Sequence, residues 1–341
     1  MKAGPRNSIC DIAGLRVGNA SDAALKSGVT ALICDGDNVA SCHVMGGAPG
    51  TRDTDLLAPE NIVRSVDALV LSGGSAFGLD AAGGVQSHLR DIGRGFEVAG
   101  QRVPIVPAAI LFDLVNGGDK DWGTDSPYRE LGREAAAAAS HDFDIGTVGA
   151  GTGALTGGPY PGLKGGLGTA STQLDNGVIV AALVAVNALG SPVMGRSGTF
   201  WAQPFALGDE LGASRPVPPA HEAQELQIKF RGQTEAGANT TIGIIATNAA
   251  LSKAEVKRLA IAAHDGFARA LWPAHTPLDG DLIFGLATCS KATPSLEGTI
   301  DLSAYAAATM SRAIARGVHA ARSVDDDLFP TWQDRFGNAR A

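Results

Sequence analysis

The chain has 341 residues, a formal net charge of −8, and 45% hydrophobic, 18% charged and 5% aromatic residues. Together 57 Ala and 45 Gly fill about 30% of it, with no glycine at every third position, so neither a collagen-like repeat nor a disordered chain fits. The longest clean apolar run, Val178–Val186, is half of the roughly 18 residues a membrane-spanning helix needs, and the mildly acidic, dispersed charge argues against electrostatic binding of nucleic acid or anionic lipid.

Met1–Gly14 has no apolar stretch of the kind that drives secretion, so a cytoplasmic chain is the expectation. Cys10, Cys34, Cys42 and Cys289 form no C-x-x-C pair and read as reduced, mostly buried thiols. Short β-branched or Leu-rich runs bounded by Gly, Asn or Asp predict strands at 30–34, 68–72, 103–110, 178–187, 241–247 and 282–288. Ala-rich stretches predict helices over 76–91, 128–140, 253–271 and 303–323. Ser252-x-x-Glu255 has the form of a capping box, and Ser303 is a candidate N-cap. In the third helix Val256, Leu259, Ala260, Ala263, Phe267 and Leu271 recur every three or four residues, giving one core-facing stripe. Glycine clusters at 46–50, 73–78 and 146–168. Segment 206–238, with RPVPP and several Glu and Gln, reads as a flexible surface loop. No repeat or linker divides the chain, so residues 1–341 are expected to form a single domain.

The glycine loops fail the phosphate-binding tests. Gly149-x-Gly151 has Ala154 where a dinucleotide fingerprint needs its third glycine, and Gly157-x-x-x-x-Gly162 is followed by Leu163 in place of Lys. Gly73-Gly74-Ser75-Ala76 is followed by Phe77, which breaks the nucleophile-elbow pattern. The histidines show no metal-ligand spacing; His43, His264 and His275 read singly as surface or satisfied core residues. No metal or organic cofactor is expected. One junction is chemically suggestive. Thr240 opens an apolar strand directly after a polar loop, where an N-terminal-nucleophile hydrolase would expose a threonine whose own amine, of reference pKa about 7.7–8.0, can serve as base. Spacing alone favours an ordinary strand edge at Thr240, and Asp279-Gly280-Asp281 by itself reads first as a helix-to-strand turn.

The stretch GANTTIGIIATNAALSKAEVKRLAIAAHDGFARAL, followed by PLDGDLIFGLAT, resembles the self-processing region of the β-aminopeptidase and L-aminopeptidase/D-esterase (DmpA-type) family, which includes the nylon-oligomer endo-hydrolases. GAPGTRDTDLL, LSGGSAFGLDAAGGV, VGAGTGA, LKGGLGTAS and VAALVAVNALG carry the resemblance in the same order from about residue 8 to 322. It implies an α/β fold of the N-terminal-nucleophile-hydrolase type: a four-layer αββα sandwich of the DmpA/ornithine acetyltransferase kind. It implies cleavage after Asn239 into an α fragment (1–239) and a β fragment (240–341) that stay associated. Thr240 matches the nucleophile, Asn187 the oxyanion-hole amide, and Asp279 and Asp281 the acidic pair that orients the nucleophile's amine. Nylon-hydrolase-like members carry a Lys where this chain has about Gly158; Tyr160 and Lys164 are the candidate substitutes. The implied activity is hydrolysis of amide bonds in short peptides, amino-acid amides or ω-amino oligomers by a homo-tetramer. An acyl-transferase of the ornithine acetyltransferase type and an unprocessed, non-catalytic member are the alternatives.

Overall fold

The structure, a computed structural model, describes residues 1–230 and 239–337. Ten strands form two five-stranded sheets. In chain order they are β1 (Leu15–Asp22), β2 (Ser27–Cys34), β3 (Val39–Val44), β4 (Thr51–Arg52), β5 (Ala68–Ser72), β6 (Ala108–Ile110), β7 (Gly166–Gln173), β8 (Ile179–Asn187), β9 (Thr240–Ala249) and β10 (Leu282–Lys291). One sheet has the order β1-β2-β5-β6-β4 and the other β7-β8-β9-β10-β3. Each contains a single parallel pair, β5/β6 in the first and β9/β10 in the second, among antiparallel neighbours.

Both sheets are covered on both faces, which is why their strands read as continuous apolar runs with little alternation. In β8, Val180, Ala182, Val184 and Val186 face the helices α3 (Lys253–Ala268) and α4 (Leu296–His319). Ala181, Leu183 and Ala185 face the other way, into the layer between the sheets. In β2, Leu32 and Cys34 enter that same layer, while Val29, Ala31 and Ile33 pack beneath α1 (Ala81–Asp91) and α2 (Tyr128–Ala137). The three apolar layers make the αββα sandwich that the resemblance implied. Each fully buried Leu, Ile or Val in them is worth roughly 1.5–3 kcal/mol relative to exposure. Glycine sets one spacing: a Cβ on Gly168 would lie 1.9 Å from the Ala313 carbonyl oxygen, so α4 rests on β7 backbone to backbone.

Several expectations are corrected. The 103–110 stretch is not one strand, because Pro104 and Pro107 interrupt it; Gln101–Val103 folds back on Phe96–Val98, and only Ala108–Ile110 joins the sheet. The 76–91 helix opens with a 3₁₀ stretch, Ser75–Asp80. The last long helix starts earlier, with Ser295 as its N-cap accepting from the Gly298 N–H. Ser303 lies inside that helix, its hydroxyl bonded back to the Thr299 carbonyl. The box at Ser252 forms as read. Strands β1, β3, β4 and β7 escaped notice; β7, GLGTASTQ, is mostly small residues, with two Thr as its only β-branched ones. Of the four thiols Cys10 and Cys34 are buried and Cys289 is exposed.

Much of the described stretch 206–230 is exposed, and it is anchored at a few points. Partly buried Glu210 accepts from Arg312 Nε and Nη2 at 2.6 and 2.8 Å, Leu211 is buried, and Lys229 is 4% exposed. Residues 231–238 of that loop lie outside the described residues. Among the described residues no helix is long and apolar enough to cross a membrane.

Candidate active site

One end of the second sheet gathers a cluster of buried polar residues. Antiparallel pairing sets Asn187, the last residue of β8, opposite Thr240, the first of β9. Parallel pairing of β9 with β10 brings residues 279–281 alongside, with a bridge from Asn239 to Asp279. All of this is interior: Asn187, Asn239, Thr240, Asp279 and Asp281 are each at most 2% exposed. The Thr240 hydroxyl donates to the Asn239 carbonyl oxygen at 2.5 Å, and the Gly280 N–H donates to that same oxygen at 2.8 Å. A Cβ on Gly280 would lie 2.7 Å from the Thr240 hydroxyl oxygen and 2.7 Å from the Ala48 carbonyl oxygen, so only glycine fits. The Gly46–Gly50 loop closes over this corner, with Met45 N–H bonded to the Asp281 carbonyl and Ala48 N–H to the Asp279 carbonyl.

The two carboxylates have separate tasks. Asp281 accepts from the Thr241 N–H at 2.8 Å and from the His275 N–H at 3.0 Å, and His275 Nδ1 lies 2.8 Å from its Oδ2. Asp279 accepts from the Thr276 N–H at 2.8 Å and hydroxyl at 2.6 Å. Burial, then the neighbouring Asp281 charge, hold the Asp279 pKa above the usual carboxylate value. Burial works against a charge on His275, but its contacts with Asp281 outweigh that and leave the pKa raised. The ring of His264 packs 4.9 Å from that of His275 and 5.2 Å from that of His43, so three histidines read singly form one array behind Asp281. Burial pushes the middle one, His264, down to about 3.

A cation also reaches this corner. Lys229 Nζ donates to Asn187 Oδ1 at 3.0 Å, to the Leu155 carbonyl at 2.9 Å and to the Asn187 carbonyl at 3.4 Å. Asn187 Oδ1 also accepts from the Leu155 N–H at 2.9 Å, while its Nδ2 donates to the Phe112 carbonyl at 2.8 Å.

The model of peptidase family S58 matches residues 7–327. This chain belongs to peptidase family S58. An uncharacterized aminopeptidase of Mycobacterium tuberculosis is 44% identical to this S58 chain over 355 aligned residues, covering 98% of it and 99% of the relative. A 6-aminohexanoate-oligomer endohydrolase of an Agromyces species is 31% identical, covering 68% of this chain and 63% of the relative. Among solved structures, a β-aminopeptidase of a Burkholderia species superposes with a TM-score of 0.68 at 22% identity, covering 95% of this chain and 89% of the other. The L-aminopeptidase D-Ala-esterase/amidase of Ochrobactrum anthropi, described as a variant of the Ntn-hydrolase fold, gives 0.64 at 19%, covering 96% and 90%. These two likenesses establish the fold, and the family is one of amide-hydrolysing enzymes.

Two of the candidate residues of this S58 enzyme lie elsewhere. Tyr160 is 91% exposed on the rim of a cavity of about 340 Å³ shared with Gly158, Gln227 and Phe329. Lys164 is buried, but its ammonium is bound to Asp327 at 2.5 Å. Neither has a described contact with Thr240 or Asn187. Lys229 went unread because its partners, 155 and 187, are distant in sequence. The one signal was the polar–apolar alternation of Gln227-Ile228-Lys229-Phe230, which puts Lys229 on the side opposite Ile228 and Phe230 if the segment is extended.

Proposed function

We propose that the chain is a self-processing amide hydrolase with Thr240 as its nucleophile. The observation that carries this reading is the Asn239 carbonyl, held between the Thr240 hydroxyl and the Gly280 N–H. Attack of Thr240 Oγ on the Asn239 carbonyl carbon develops negative charge on the oxygen that Gly280 already contacts. The hydroxyl proton passes to the Thr240 nitrogen as the C–N bond breaks, leaving an ester between Asn239 and Thr240. Water hydrolyses the ester, giving a carboxylate at Asn239 and a free amine at Thr240. That amine, with a reference pKa of about 7.7–8.0, then takes the proton from the Thr240 hydroxyl as it attacks a substrate amide. An acyl-enzyme forms on Thr240, the leaving amine takes the proton, and water releases the acid. Asn187 donates to the substrate oxyanion, and Asp281 holds the start of β9 through the Thr241 N–H.

Substrates of this reading are short peptides, amino-acid amides and ω-amino oligomers, in line with the aminopeptidase and 6-aminohexanoate-oligomer endohydrolase relatives. The test is a denaturing gel with N-terminal sequencing. Processing yields a second terminus reading Thr-Thr-Ile-Gly-Ile, whereas a single 34.6 kDa chain after prolonged incubation overturns it.

A further inference from the structure

Building on the hydrolase reading, we propose that Lys229 is a positioning residue, one that fixes which way the Asn187 carboxamide faces. An amide side chain turns over by 180° at little steric cost, and its two ends differ only in donating or accepting. At Asn187 the choice is made by donors. Lys229 Nζ at 3.0 Å and the Leu155 N–H at 2.9 Å both point at one atom of the carboxamide, and only oxygen can receive them. The NH₂ group is thereby turned the other way. One of its hydrogens goes to the Phe112 carbonyl at 2.8 Å, and the second remains for an oxyanion. With Lys229 in place, the turned-over amide would set an NH₂ against two donors, one of them an ammonium. The Leu155 N–H and the Phe112 carbonyl oppose the turn as well, and Lys229 adds the one charged donor that pins the oxygen end.

The rest of the Lys229 environment makes little sense as packing. The residue is 4% exposed, and among the described residues no carboxylate lies within ion-pairing distance of its ammonium. Three neutral oxygens receive its three N–H groups. A Leu or Met would occupy this space without the desolvation of a charge. Burial pushes the Lys229 pKa down to about 7, against the pull of Asp279 and Asp113. A costly cation kept on a candidate oxyanion donor is accounted for by the donor's orientation.

A double-mutant cycle tests this, using wild type, Lys229→Met, Asn187→Ala and the pair, each purified, checked for processing, and assayed on an amino-acid p-nitroanilide. The expected result for Lys229→Met is a fall in kcat of about 10- to 100-fold, the usual range for a partner behind a reacting group, with KM nearly unchanged. The pair should be no slower than Asn187→Ala alone, and Lys229→Met should melt at or above the wild-type temperature. Losses that multiply in the pair, or a Lys229→Met enzyme with wild-type kcat, overturn the proposal. If Lys229→Met shows no cooperative melting, Lys229→Gln goes through the same cycle under the same criteria. A wild-type chain that hydrolyses no amide fails before any variant is compared, which marks the failure of the hydrolase reading and takes this proposal with it.

Discussion

The two sheets share one plan. Each runs antiparallel, antiparallel, parallel, antiparallel across its five strands, so each has a corner where two parallel strands begin beside the end of an antiparallel one. In the second sheet that corner holds Asn187, Thr240 and the 279–281 loop. In the first sheet it holds Cys34, Asp67 and Ile105: the Cys34 N–H bonds to the Asp67 carbonyl, and the Asp67 carboxylate accepts from the Ile105 N–H at 2.8 Å. The first corner opens on a cavity of about 500 Å³ lined partly by Ile62 and Phe96, both exposed, whereas the second is closed and lined by buried polar groups. Topology therefore supplies a suitable corner twice. What distinguishes one is a set of burial costs: a hydroxyl, an amide, two carboxylates and an ammonium taken out of water. Groups kept at such cost point to chemistry more strongly than the strand arrangement does.

Substitutions at the two corners sharpen the contrast. The largest effect belongs to Thr240→Ala, which should remain one intact chain with no amidase activity; cleavage at that bond in the variant would assign the nucleophile wrongly. Asn187→Ala should lower kcat about 10²–10³-fold, the range for loss of one oxyanion donor, as read by steady-state kinetics on the processed enzyme. Gly280→Ala should block processing on a gel, since its Cβ meets the Thr240 hydroxyl, while Gly36→Ala at the first corner has open space around it and should process normally. Gly36 sits at φ +84°, so that control should still lose about 1 kcal/mol in a denaturant titration. Asp67→Asn is the smallest: a loss of about 1 kcal/mol or less and unchanged kcat.

Acid distinguishes the corners as well. His264 is held near 3 when folded against an ordinary value of 6.5, so the unfolded chain binds more protons between those limits. Stability should be complete above pH 6.5 and fall as the pH drops toward 3. Replacing His264 with Phe should flatten that limb of a melting-temperature profile; an unchanged limb would place the acid sensitivity elsewhere. Lys229 acts in a different window. Its folded pKa near 7 lies below the ordinary 10.5, so stability should rise between pH 7 and 10.5.

Much of this corner was legible in the sequence because each part is announced locally. Thr240 opens an apolar run, Asn187 closes one, and Asp279 and Asp281 flank a glycine. Their meeting follows from strand pairing alone. The cation was not legible. It was sought at Gly158, Tyr160 and Lys164, close in sequence to the glycine-rich block, but Lys229 comes from a polar stretch that looks like surface. Its burial depends on Asn187 and Leu155, contacts that no local pattern records. Likewise β7 carries small residues whose role, room for α4, exists only once the helix is in place.

The contact of Gly168 with Ala313 has a consequence for volume. Hydrostatic pressure unfolds proteins in proportion to the internal voids that unfolding removes. A helix seated directly on a strand's backbone leaves no side-chain gap at that contact to collapse. The Ala and Gly of this composition thus bear on compressibility, and the contact beneath α4 should add little to the volume change of unfolding.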